Sequence, residues 1–275
     1  MMANNLHSVI LRGSIFLLMC IICLPETLVA QRWNRVDSLR FNDEILAVSM
    51  DLTGNLYVAD AGGKITKYDE SLAKVASSSK ARFNTISSVD AIQILKVFVF
   101  YQTTQQYQFL DRFLTPLQPA LNIESDSFAQ YSAATLSADQ MIWLVNEDRL
   151  RLQKYNPILQ EVIIDTDLSY FLTGDEQVKT LQEHNNRLYL HHQQEILMFD
   201  SMGNFISKLP LEFDQPFSLY RERLYYIEEG RLLRYHLDTM ETEVVDIVLP
   251  KEVRFILSGD NVHFFFTSQK IIAYR

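Results

Sequence analysis

Cysteine is almost missing from this chain, and its two examples, Cys20 and Cys23, both fall within the first thirty residues. Downstream of them there is no thiol, which excludes cysteine nucleophiles, Cys-based zinc sites and redox motifs from that region. A disulfide framework is excluded too, so a folded domain there must be held by its core. No apolar run approaches the roughly 20 residues that a membrane-spanning helix needs. No low-complexity linker or domain break appears. Basic charge is in deficit: 25 Lys and Arg face 34 Asp and Glu, a formal net charge of −9. That balance lacks the basic footprint of a non-specific nucleic-acid binder and disfavours attraction to anionic lipid heads. The charges are scattered, as solubility requires. A Gly-rich phosphate loop, a G-x-S-x-G elbow and an H-E-x-x-H helix are all absent.

The leader is the first positive feature. Arg12 precedes an apolar run of nine residues, 15–23, and Pro25 breaks it. Leu28-Val29-Ala30 then ends in a small residue. This is the layout of a secretory signal peptide cut after Ala30. The expected organisation is a signal peptide over 1–30 and one domain over 31–275, exported to the periplasm or the medium. No direct membrane insertion is expected after cleavage.

The rest of the chain repeats. Leu56-Tyr57-Val58-Ala59-Asp60, a Gly-Gly turn and Ile65-Thr66-Lys67-Tyr68-Asp69 read as strand, tight turn and strand. Five more such hairpins follow. Their first apolar positions are Leu56, Val97, Ile142, Leu188, Leu224 and Val262, at intervals of 41, 45, 46, 36 and 38 residues. Periods near forty with strand-rich content indicate four-stranded propeller blades. An inner strand precedes each hairpin, as at 45–50, and an outer one follows, as at 117–123, 205–211 and 243–249. The sixth copy reaches Arg275 without an outer strand, while 33–41 is strand-like and unassigned. Pairing the two removes an open sheet edge. The expected fold is an all-β, six-bladed propeller whose last blade is closed by the N-terminal strand of the exported domain.

Candidate sites lie where the repeats disagree, because repeated positions in such a fold are scaffold. The aromatic that ends each third strand, and the acid that follows it in several of them, are expected to serve packing and turn formation. The connection 167–176 places Leu168, Tyr170, Phe171 and Leu172 in a long loop, and exposed aromatics there point to a protein partner. The turns between second and third strands share one face and are polar. His192, Gln193, Gln194, Glu228 and Glu229 are their candidate contacts for a peptide or glycan. Neighbouring His191 and His192 point to opposite faces of a strand, and no set of residues has metal-ligand spacing. Neither a metal nor a cofactor is expected.

The stretch 51–69, DLTGNLYVADAGGKITKYD, resembles the repeat of NHL-type propellers. That resemblance implies a six-bladed fold. Some NHL-like propellers are calcium-dependent lactonases or esterases, but their metal ligands cannot be matched here residue by residue. SVDAIQILKVFVFYQ and QYQFLDRFL look similar to lone propellers exported by bacteria with type IX secretion. The role this resemblance implies is a plug-like accessory of an outer-membrane translocon. The leading expectation is therefore a non-enzymatic binding propeller of the cell envelope that engages a protein partner. The alternatives are a calcium-dependent lactonase-like hydrolase and a glycan- or peptide-binding propeller.

Overall fold

A computed structural model of the chain describes residues 33–80, 85–93, 95–123, 129–173, 178–213 and 216–275. The expected signal peptide lies outside the described residues. Six antiparallel four-stranded sheets form the blades of a β-propeller. Blade 1 holds β2 (Ile45–Met50), β3 (Leu56–Asp60), β4 (Ile65–Tyr68) and β5 (Lys74–Ser77). Blade 2 holds β6 (Ser88–Asp90), β7 (Lys96–Tyr101), β8 (Gln106–Asp111) and β9 (Leu121–Asn122). Blade 3 holds β10 (Ala133–Leu136), β11 (Ile142–Asn146), β12 (Arg151–Asn156) and β13 (Glu161–Asp167). Blade 4 holds β14 (Val178–His184), β15 (Arg187–His192), β16 (Glu195–Asp200) and β17 (Phe205–Lys208). Blade 5 holds β18 (Ser218–Tyr220), β19 (Arg223–Glu228), β20 (Arg231–His236) and β21 (Thr242–Val245). Blade 6 holds β22 (Phe255–Ser258), β23 (His263–Phe266) and β24 (Lys270–Tyr274), with β1 (Arg35–Arg40) as its outer strand.

Packing explains why the middle strands are unbroken apolar runs rather than alternating ones. Each blade is covered on both faces, so successive side chains of a strand are all buried. Ile142, Trp143, Leu144 and Val145 of β11 are fully buried, as are Phe264, Phe265 and Phe266 of β23. Among the described residues the core divides into six clusters, one for each pair of neighbouring blades. The cluster between blades 6 and 1 completes the ring, with Leu39 and Phe41 packed against it.

Strand β1 runs antiparallel to β24, with Asp37 opposite Ala273 and Leu39 opposite Ile271. Asn34 and Arg275 exchange both backbone hydrogen bonds, at 2.9 and 3.0 Å. Trp33 lies against His263, with ring centroids 4.2 Å apart.

Side chains also stitch the blades together near the inner strands. Ser49 Oγ accepts from Ala91 N (3.0 Å), and Ser218 Oγ accepts from Ser258 N (3.0 Å). Asp90 Oδ2 accepts from Thr135 Oγ1 (2.7 Å) and Leu136 N (3.2 Å). Glu183 accepts from Ser137 Oγ (2.6 Å), Ala138 N (2.9 Å) and Trp143 Nε1 (2.6 Å). The partners of these inner-strand bonds are mostly one repeat apart, so each ties a blade to its neighbour.

The acid that ends several third strands makes the following turn. Asp69, Asp111 and Asp200 each accept two backbone N–H bonds, from residues two and four further on. These are Asx turns. Three outer strands are shorter than the pattern 117–123, 205–211 and 243–249 indicates. Apolar side chains just past their ends turn into the core: Leu209 and Leu211 join the cluster between blades 4 and 5, and Ile123 joins that between blades 2 and 3.

Candidate functional site

The connection after β13 begins with a tight turn. Asp167 Oδ1 accepts from Ser169 N at 2.8 Å. Phe171 N and Leu172 N both donate to Leu168 O, at 2.8 and 2.9 Å. One turn of this kind brings residues i and i+4 to the same side. Leu168 (0 % exposed) and Leu172 (2 %) accordingly drop into the cluster between blades 3 and 4. This corrects the expectation that both face a partner: they anchor the loop. Tyr170 is on the opposite side and is 90 % exposed. Phe171 is half-buried between the two environments. Its ring lies 4.4 Å from that of Phe205 and meets Phe199 edge-on at 6.1 Å. Tyr170 in turn meets Phe171 edge-on at 5.2 Å.

The result is an aromatic stack rising from buried Phe199 to solvent at Tyr170. Just before the loop, Asp165 and Asp167 are both paired with Arg151, at 2.8 and 3.3 Å. The Ser169 hydroxyl and N–H, helped by Arg151, hold the Asp167 carboxyl below its ordinary range.

The polar turns are less uniform than their composition indicates. His192 is buried, with Nε2 3.8 Å from a Glu195 carboxylate oxygen, and so is not a surface contact. The reason is its place as the last residue of a middle strand, covered on both faces. His191 is buried beside it, with Nε2 2.9 Å from Phe213 O and its ring against Phe213 and Phe217. Gln193 and Gln194 are exposed and form the two-residue turn. Glu228 lies opposite Arg231 in the ladder, and Glu229 takes a 3.2 Å ion pair from the same arginine. These two carboxylates therefore belong to a solvated hairpin turn.

Two buried carboxylates near the inner strands have no counterpart among the sequence candidates. Burial raises the pKa of Asp90, and the nearby Glu183 charge adds to the rise, while bonds from Thr135, Ile92 and Leu136 oppose it. Asp90 and Glu183 each hold three protein donors. Their lone pairs are committed to joining blades 2, 3 and 4. An acid inside the apolar run Val89-Asp90-Ala91 was the available signal for the first of them.

His263 is another buried titratable group outside the sequence candidates. Its Nδ1 lies 2.9 Å from Ser258 Oγ, and its ring touches Trp33 and Tyr225. Burial, with a smaller contribution from Arg234, lowers its pKa to about 4.

Among the described residues no group of three or more His, Cys, Asp or Glu side chains is placed to hold a metal ion. Nor is any described helix long and apolar enough to cross a membrane.

No protein-family model matches this chain, and no curated protein matches it. Solved structures do. BamB from Moraxella catarrhalis is similar at 10% identity and a TM-score of 0.54, over 89% of this chain and 100% of that one. Virginiamycin B lyase from Staphylococcus aureus is similar at 9% identity and a TM-score of 0.58, over 88% of this chain and 99% of that one. The β-propeller domain of a Myceliophteria thermophila protein matches at 14% identity and a TM-score of 0.57, over 84% and 82%. At such identities the likeness concerns the fold, and the blades agree with it: this chain is a six-bladed β-propeller.

Proposed function

We propose that this propeller is a non-catalytic binding module of the cell envelope that engages a protein partner through the stack at Tyr170. The observation that carries the reading is the placement of Tyr170. A large aromatic side chain is held almost fully in solvent on a loop anchored by two core leucines and backed by Phe171 and Phe205. Rigid aromatic side chains of this kind are the usual anchors of protein interfaces. The signal-like leader supports export. The type IX resemblance makes an outer-membrane secretion component the first partner class to test.

A hydrolase reading has less support. The similar lyase has a histidine variant described as catalytically inactive. In this chain the described histidines are engaged by the protein itself: His184 with Arg221 O, His191 with Phe213 O and His263 with Ser258 Oγ. His192 and His236 lie 3.8 and 3.7 Å from the carboxylates of Glu195 and Glu243.

The test is quantitative co-purification from envelope extract with the wild-type chain and Tyr170→Ala. Loss of a buried interface tyrosine costs about 2 kcal/mol or more, roughly thirtyfold in affinity. The variant should lose the partner and keep its melting temperature. A partner retained equally by both proteins, or ester hydrolysis by the wild type in calcium, would overturn the reading.

A further inference from the structure

Antiparallel pairing within a blade puts the turn between second and third strands at the same end as the exit of the fourth. At that end, between blades 2 and 3, lies a groove of about 450 Å³. Its blade 2 wall is built differently from the tightest hairpins of the ring. Blades 4 and 5 close their middle hairpins with the two-residue turns Gln193-Gln194 and Glu229-Gly230. Blade 2 instead uses a 3-10 turn, Gln102–Thr104, followed by Gln105 in the left-handed region.

The extra turn is fixed in place. Gln105 Oε1 accepts from Tyr131 N (2.8 Å), while its Nε2 donates to Tyr131 O (3.0 Å) and Gln102 O (2.6 Å). One side-chain amide thereby replaces a strand neighbour and joins the turn to the connection from blade 2. On the opposite wall, Glu147 Oε1 accepts from Val178 N at 2.6 Å. The groove therefore has pinned walls, and exposed Gln102, Thr103, Gln130 and Asp148 on its rim.

We infer that this groove binds an extended peptide segment carrying a lysine or arginine side chain. Its volume is within the range of about 300–1,000 Å³ usual for ligand pockets, which admits a short segment and not a domain. The amides of Gln102 and Gln130 each offer a donor and an acceptor, the pair a peptide group needs. Glu147 and Asp148 supply two carboxylates, and no described lysine or arginine lines the groove. A basic side chain is the complement of that field. A sugar would need an exposed aromatic face to stack on, and the Tyr131 ring is buried with its hydroxyl 2.8 Å from Gln153 Oε1. The inference does not rest on the Tyr170 stack, so either can fail alone.

The test is fluorescence anisotropy with the full chain and dye-labelled eight-residue alanine–serine peptides containing two arginines or two glutamates. The arginine peptide should bind saturably and the glutamate peptide should not. Asp148→Lys and Gln130→Ala should each weaken binding about tenfold or more, with unchanged melting temperature. Glu229→Lys, the same charge reversal on another turn of that face, should leave binding unchanged. Should either groove variant lose its fold, Thr103→Arg puts a competing cation on the blade 2 wall and should weaken binding likewise. Equal binding of both peptides overturns the inference, as does equal weakening by Glu229→Lys, which would mark diffuse attraction to an acidic protein. Displacement by maltohexaose, or no saturable binding at millimolar peptide, overturns it too.

Discussion

Stability should fall as pH falls from 7 to 4.5, and His263 should account for a separable part of that loss. The side chain is 2 % exposed and lies between Trp33, Tyr225 and Phe265, with Ser258 Oγ as its hydrogen-bond partner. The charged group nearest to matter is Arg234, which is itself paired with Glu243 and disfavours a second cation. In the unfolded chain the imidazole binds a proton near its ordinary pKa of 6.5, and in the folded one only near 4. Between those values the unfolded state holds more protons, so acid favours unfolding. The contribution is intact above pH 6.5 and fully lost below pH 4. At about 1.4 kcal/mol per pH unit the whole shift is worth at most about 3.4 kcal/mol, of which about 2.7 kcal/mol is lost by pH 4.5. Asp90 works in the opposite sense, because burial raises its pKa and acid then favours the folded form. The comparison that isolates His263 is therefore urea unfolding of the wild type and His263→Phe at several pH values. The variant should lose stability less steeply between pH 6.5 and 4.5. Parallel curves for the two proteins would refute the reasoning.

Three further outcomes follow from the same structure. Deleting residues 31–41 removes β1, the Trp33–His263 contact and the packing of Leu39 and Phe41. The truncated chain should aggregate or melt without a cooperative transition, and an unchanged melting temperature would disprove closure by this strand. Asp51→Ala removes the acceptor of Thr53 N, Asn55 N and Tyr57 Oη and leaves Lys67, 3.4 Å away, as a buried unpaired cation. Chemical denaturation should register a cost of about 3–5 kcal/mol. Glu229→Ala, which breaks only the exposed pair with Arg231, should cost under about 1 kcal/mol in the same assay.

The blades were legible because burial on both faces writes itself as an apolar run. Val97 to Tyr101, Ile142 to Val145 and His263 to Phe266 could scarcely be anything but the middle strands of stacked sheets. The outer strands were harder to bound. Leu209 and Leu211 continue the apolar pattern of β17 but pack inward, and residue type does not record that change of direction. The same limit applies to the loop after β13. Its aromatics marked it as a candidate, yet only the turn geometry separates Leu168 and Leu172, which anchor it, from Tyr170. Asp90 and Glu183 were illegible as a pair. Their meaning depends on donors one repeat away, from Leu136 N to Asp90 and from Ala138 N to Glu183.

The most direct measurement is photo-crosslinking in the intact cell envelope. A photoreactive phenylalanine analogue would replace Tyr170, and separately Val75, which is exposed on the outer strand of blade 1. Position 170 should give one discrete protein adduct that position 75 does not. Identical patterns at the two positions, or no adduct at 170, would contradict the assignment of this propeller as a binding module that works through the Tyr170 stack.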